Sequence, residues 1–362
     1  MVMEKKLKLE QIAGCLLGGA VGDALGAPIE FMSSNEILRD YGILGVTDYV
    51  EYKDGAGEFT DDTQMTLFTA EGLLLFDSSI ILKDSDDALL WGIYESYQRW
   101  LHTQCYNNNY LLTNNEDFDI NKGWLIKRKE LFSRRAPGNT CLSSLIGGVP
   151  GSFENPINNS KGCGGVMRVA PVGLIFSDDY NYSFHIAAKI AALTHGHPSG
   201  YLSAGFLSSL LSLLTIGSTL VEAINKTSII LKTYIHFEET LQTIEKAVYL
   251  AQNFDNEKND FISTSKLIES IGLGWTGEEA LAISLFCSII YQKDFKKGVI
   301  AAVNHSGDSD STGSITGNIL GLINGVEGIP ENWTKNLKFN DIVLQIANDI
   351  YIKKLFSKSK DI

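Results

Sequence analysis

The sequence predicts an all-α protein, and three observations carry that expectation. Apolar residues recur at helical spacing from about residue 10 to beyond residue 320, no run alternates apolar and polar residues as a half-buried strand does, and helix-starting residues precede several apolar stretches. With 362 residues, 44% of them hydrophobic, the chain can bury a large core as one big domain or two ordinary ones. The net charge of −13 and pI near 5.0 leave no phosphate-tracking basic patch, which excludes a nucleic-acid or anionic-membrane surface.

In chain order, Ile12, Leu16 and Leu17 mark a helix over residues 10–26, interleaved with Gly14, Gly18, Gly19, Gly22 and Gly26. So many glycines weaken a helix, and close approach of another backbone or a ligand is the expected compensation. No phosphate loop is present: there is neither a GxGxxG after a strand nor a Gly-Lys-Ser/Thr. Pro28 stops the helix and leaves Glu30 in the following loop. Ile12 to Cys15 superficially matches a lipoprotein cleavage site, but Lys8, Glu10 and Gln11 interrupt the apolar segment that export requires.

Next comes Gly57 to Gln64, with Thr60 as N-cap, Asp61 and Asp62 in the first turn, and Met65, Phe68, Leu73 and Phe76 as an apolar face. Adjacent carboxylates flanked by hydroxyls offer the hard oxygen donors that Mg²⁺ or Mn²⁺ needs. They could instead merely complement the helix dipole, worth about 0.3–1 kcal/mol. Residues 77–101 carry a further helix through Leu89, Leu90, Ile93, Tyr97 and Trp100. The chain then turns Asn- and Asp-rich, giving a polar insertion or lid near 102–135 that includes a short helix over 123–132 and Arg134-Arg135, read as a solvated pair.

Gly162, Gly164 and Gly165 could form a nest of backbone N–H groups, with Cys163 between them lacking the neighbouring histidine a nucleophile would want. His195 and His197 do not share a helical face, which argues against a zinc pair. The apolar run 204–216 carries serines and is too short for a bilayer, so it reads as a buried helix. Leu241, Ile244, Val248 and Ala251 mark another helix, and Thr276-Gly277-Glu278-Glu279 reads as a capping box ahead of Ala280 and Ile283. The last apolar face, Ile315, Ile319, Leu322 and Ile323, carries Gly313, Gly317, Gly321 and Gly325 every four residues, a stripe suited to tight helix contact.

Just before that stripe, Gly307 to Gly313 repeats the earlier pattern, with Asp308 and Asp310 followed by Ser311 and Thr312. The two acidic stretches read as halves of one metal site that folding brings together. An EF-hand starting at Asp308 fails because its twelfth position is Ile319. The Asp308-x-Asp310-x-Thr312 pattern also resembles a Mg-dependent phosphatase of the haloacid dehalogenase type, which drops to a runner-up because the chain after Thr312 is too short for that fold. Five cysteines without a CxxC pair or an even framework point to a reducing compartment and a cytoplasmic protein.

The set Gly22-Asp23-Ala24-Leu25-Gly26-Ala27-Pro28-x-Glu30, Thr60-Asp61-Asp62-Thr63, Gly164-Gly165-Val166-Met167-Arg168-x-Ala170-Pro171, Thr194-His195 and Gly307-Asp308-x-Asp310-Ser311 resembles the ADP-ribosylglycohydrolase family. The resemblance implies a compact, single-domain orthogonal helical bundle over residues 8–356. It implies two Mg²⁺ or Mn²⁺ ions held by Thr60, Asp61, Asp62, Asp308, Asp310 and Ser311. Glu30 and Asp62 become acid/base candidates; Gly162, Cys163, Gly164, Gly165 and Val166 would line the diphosphate and distal ribose, and His195 would pack against the substrate. The implied reaction is release of ADP-ribose from a modified protein, through an arginine linkage above others, by a monomer. The alternative is a non-hydrolytic ADP-ribose binder on the same fold. Two departures stand out: Ser311 replaces a common threonine, and Gly162-Cys163-Gly164-Gly165 replaces a Gly-Ser-Ala type of stretch.

Overall fold

The computed structural model describes residues 7–53, 55–76, 85–104, 118–255 and 260–358. In order the helices are α1 (Leu9–Gly26), α2 (Ser34–Tyr41), α3 (Asp61–Leu75), α4 (Ser85–Gln104), α5 (Asn139–Ile146) and α6 (Ala170–Ile175). They continue with α7 (Tyr180–Ala192), α8 (Pro198–Thr215), α9 (Leu220–Leu231), α10 (Glu238–Gln252) and α11 (Phe261–Ile271). The series closes with α12 (Gly277–Ile290), α13 (Phe295–Val303), α14 (Ser309–Asn324), α15 (Glu331–Asn336) and α16 (Asn340–Lys358). Among the described residues there is no strand, only an isolated antiparallel bridge between Gly162 and Thr276.

Local sequence explains most helix starts. Ser33 with Glu36 and Thr219 with Glu222 form capping boxes on α2 and α9, and the Asp179, Asp260 and Asp294 carboxylates cap α7, α11 and α13. α8 is buried along its length from Ser199 to Thr215, as its apolar run predicts. Leu9–Ile29 is long and apolar enough to cross a membrane, yet 94% of its window is buried inside the fold, so it serves as a core helix. The main core joins α1, α3, α7, α8, α14 and α16, and a smaller apolar cluster sits among α10 to α13.

Three local expectations need correction. The helix expected over 123–132 is two 3₁₀ turns, Leu125–Lys127 and Lys129–Leu131. Gly123 takes φ +86°, and the Trp124 and Leu125 N–H groups donate to Glu71 Oε1 at 2.7 and 2.8 Å, so they are withdrawn from a helical ladder. Arg135 is not solvated: it is 3% exposed, lies over the Phe59 and Phe339 rings and pairs with Glu58 at 3.9 Å. Thr276 starts α12 without a side-chain cap, because Glu279 accepts instead from Leu273 N–H and Glu278 pairs with Lys161. The helix expected over 77–101 is described from Ser85 to Gln104; residues 77–84, and 105–117 of the proposed lid, lie outside the described residues.

α1 and α14 pack backbone against backbone and run antiparallel. Gly14 faces Gly321, Gly18 faces Gly317, Gly22 faces Gly313 and Gly26 faces Ser309, and a Cβ on any of these glycines would run into the partner's carbonyl. The two stripes are therefore one feature, each removing the side chain that would hold the other backbone away. Asn318 secures the register by donating to Cys15 C=O at 2.8 Å. Gly317→Ala is expected to destabilise the chain by about 1–3 kcal/mol as overpacking. Gly92→Ala, on α4 where a Cβ meets nothing, should stabilise by up to about 1 kcal/mol. Urea midpoints of the two variants measure both; an unchanged midpoint for Gly317→Ala would show the seam to be slack.

Candidate functional site

Because α1 and α14 run antiparallel in contact, the end of one meets the start of the other. Asp23, in the last turn of α1, is fully buried and reaches across to the start of α3. Its Oδ1 accepts from Thr60 N–H at 2.8 Å, and its Oδ2 accepts from Thr63 N–H at 3.0 Å and from the Thr63 hydroxyl at 2.6 Å. Asp61 N–H donates to Arg135 C=O and Asp61 Oδ2 accepts from Gly138 N–H, which fixes the other side of the same turn. The Thr60 hydroxyl caps Asp62 N–H and also bonds to Asp310, linking the two acidic stretches directly.

The second stretch is aimed by a turn. Gly307 takes φ +117° and Asp308 N–H donates to Leu273 C=O at 2.8 Å. Asp308 Oδ1 and Asp310 Oδ1 both accept from Ser311 N–H, at 3.2 and 2.9 Å. Glu30, just past the 3₁₀ turn Ala27–Ile29, closes the ring. Glu30, Asp61, Asp62, Asp308 and Asp310 thus line one pocket with Ser311, and none of its described lining residues is Lys or Arg.

So many carboxylates in one buried space disfavour their own ionisation. Burial first, then the Asp310 charge, pushes Asp23 up to about 7 and Glu30 up to about 10. The same two causes raise Asp61, Asp62 and Asp308 well above the ordinary carboxylate range, and burial raises Asp310. The N-termini of α3 and α14 point partial positive charge at the cluster but do not neutralise it. Asp62 Oδ2 and Glu30 Oε2 are buried without any hydrogen-bond partner. Hard oxygen donors, two acceptors left open and unbalanced negative charge all fit a divalent cation. Among the described residues no three His, Cys, Asp or Glu side chains close on a single point, so Thr60, Ser311 and water would complete any coordination shell.

The opposite wall comes from Gly162, Cys163 and Gly164, which line the pocket with Asn139, Thr140 and Cys141. Gly165 and Val166, expected on the same wall, are instead buried behind it. His195 lines the pocket too and is 1% exposed. Arg168, fully buried, donates from Nη2 to Thr194 Oγ1 at 2.7 Å, and the Thr194 hydroxyl meets His195 Nδ1 at 2.8 Å. The Thr194 hydroxyl thus sits between Arg168 and His195 and fixes the ring with Nε2 beside Gly162 and Gly164. Burial, then the Arg168 charge, lowers His195 to about 3. Sequence reasoning assigned roles to neither Asp23 nor Arg168, although both stand inside the quoted motifs; a buried charge at the end of a glycine-striped helix was the available signal.

A larger cavity of about 210 Å³ lies between Leu44, Phe261, Tyr291 and Ile300. Its Asp260 caps α11 and its Lys297 pairs with Asp294, so it gathers no comparable chemistry. A family model described as ADP-ribosylglycohydrolase matches residues 3–359. The chain is 24% identical to the ADP-ribosylarginine hydrolase Tri1 of Serratia proteamaculans, over 95% of this chain and 79% of that one. It is also 24% identical to the ADP-ribosyl-[dinitrogen reductase] glycohydrolase of Rhodospirillum rubrum, over 91% and 90%. A solved structure titled ADP-ribosylglycohydrolase-related protein complex superposes with a TM-score of 0.63 at 21% identity, covering 95% and 98% of the two chains.

The raised carboxylates set the sign of a pH dependence. Asp23 binds its proton more tightly in the folded than in the unfolded chain, so between its ordinary range and about 7 the native state holds more protons and stability falls as pH rises. With divalent cations chelated, the melting temperature should be lower at about pH 8 than at about pH 5, and added Mn²⁺ should shrink the gap by replacing those protons. A melting temperature that rises over this interval under chelation would contradict the electrostatic description.

Proposed function

The chain belongs to the ADP-ribosylglycohydrolase family, whose members cleave the glycosidic bond to ADP-ribose, and we propose that it releases ADP-ribose from modified arginine side chains of a protein in a metal-dependent reaction. The observation that carries the reading is the meeting of two aspartate-bearing helix starts, with their hydroxyls, in a pocket with no Lys or Arg among its described lining residues. Family members use metal ions. In this proposal Thr60, Asp61, Asp62, Asp308, Asp310 and Ser311 hold two Mg²⁺ or Mn²⁺ ions. When bound, such ions supply Lewis acidity to the ribose hydroxyls and to water.

The remaining steps belong to the side chains. Departure of the guanidine from the anomeric carbon builds positive charge on the ribose, which the surrounding carboxylates stabilise. The leaving nitrogen must gain a proton, and Glu30 Oε2, open and beside the pocket, is placed to hold it. Asp62 Oδ2, equally open, takes a proton from the attacking water. His195 presents its Nε2 to the ligand, and Gly162 and Gly164 let its backbone neighbours approach closely. Arginine linkage is supported by charge, since an acidic pocket attracts a guanidinium, and by similarity to the Serratia ADP-ribosylarginine hydrolase.

The test presents arginine-linked and serine-linked ADP-ribosyl proteins in parallel, with Mg²⁺ or Mn²⁺ and again with chelator. Release from the arginine-linked protein alone, lost on chelation, is the expected result. Glu30→Gln should lower kcat by roughly 10²–10⁴-fold while ADP-ribose still binds. Binding without release from either substrate would make the chain a non-hydrolytic ADP-ribose binder.

A further inference from the structure

Two large aromatic rings stand in the open beside the carboxylate pocket. Phe31 is 76% exposed and Trp275 is 37% exposed, and their rings stack with centroids 5.5 Å apart and planes 20° from parallel. Both are tied to residues that line the pocket. Phe31 directly follows Glu30 in the chain. The strap Leu273-Gly274-Trp275 is held at both ends: Leu273 C=O accepts from Asp308 N–H at 2.8 Å, and Trp275 C=O accepts from Cys163 N–H at 3.1 Å. Between them Gly274 takes φ +82°, and a Cβ there would stand 2.9 Å from Thr312 and 3.2 Å from Asp308, so the strap lies against the start of α14.

Rigid aromatic rings at the mouth of a pocket suit an interface, because little side-chain freedom remains to be lost when a partner covers them. The charge around them favours a basic partner. Glu30 adjoins Phe31, Glu279 accepts from Leu273 N–H at 3.2 Å, and the chain carries a net charge of −13. The ammonium of Lys161, whose C=O accepts from Gly277 N–H just beyond Trp275, is taken up by Glu239 and Glu278. We infer that the Phe31–Trp275 pair receives the polypeptide around the modified side chain, and that it selects segments with an arginine next to that residue, whose guanidinium lies flat on an exposed ring face. This role rests on the proposed reaction only in taking a modified protein as the ligand. In that reaction Glu30 holds the proton for the leaving nitrogen, so the rim beside Glu30 faces the departing polypeptide.

The test compares three probes: a peptide ADP-ribosylated on one arginine and flanked by arginines, the same peptide flanked by aspartates, and free ADP-ribosyl-arginine. Affinities are read by competition in fluorescence anisotropy with Mn²⁺ present, in the full chain carrying Glu30→Gln so that the probes are not consumed. The arginine-flanked peptide should bind about 10-fold more tightly than ADP-ribosyl-arginine, and the aspartate-flanked peptide should show no such advantage. Comparing ligands within one protein does not depend on any ring variant folding. Phe31→Ala or Trp275→Ala should collapse the ratio of the two affinities, and Phe31→Tyr, which keeps a ring face, should preserve it. A ratio near one at the outset, an equal advantage for the aspartate-flanked peptide, or a ratio that survives both alanine variants overturns the inference. Release of ADP-ribose from the peptide by the unaltered chain without this ratio defeats the docking role alone, whereas the ratio without release defeats the hydrolytic reading alone.

Discussion

The distance between the backbones of α1 and α14 governs everything at the site. Eight small positions let the helices touch carbonyl against Cα, which sets the last turn of α1 beside the first turn of α14. Asp23 then extends the arrangement to α3 through three hydrogen bonds, so three helices from distant parts of the chain share one register. Each glycine gives up about 1 kcal/mol of helix propensity relative to alanine, and the buried contact offsets that loss.

The pocket is where the molecule departs from its own rules. Elsewhere a buried cation faces a carboxylate: Arg135 has Glu58 and two rings, and Arg99 faces Glu71. In the pocket, five carboxylates are gathered with no lining Lys or Arg opposite, and two of their oxygens stay open. Repulsion and desolvation raise the affinity of the cluster for any positive partner, whether proton or metal. A site that is costly in isolation is thereby primed for what it binds.

Much of this was legible before any coordinates. Thr60-Asp61-Asp62 and Asp308-x-Asp310-Ser311 announce themselves as oxygen donors at helix starts, and the glycine stripes announce close contact without saying with what. What escaped were features decided by distant partners. Arg135 reads as solvated until Phe339 and Glu58 are folded around it, and residues 123–132 read as a helix until Glu71 claims two of their N–H groups. Asp23 and Arg168 act through Thr60, Thr63 and Thr194, whose hydroxyls and N–H groups carry no sign in sequence of whom they serve.

The Asn318–Cys15 bond spans 303 residues, and that interval has a meaning during synthesis. On the ribosome, α1 emerges some 303 residues ahead of its main companion and waits for it across that interval. A nascent chain therefore carries an apolar helix in need of shelter until α14 follows, and the two acidic halves meet only then. Prematurely terminated products would be inert by construction, since neither acidic half means anything alone.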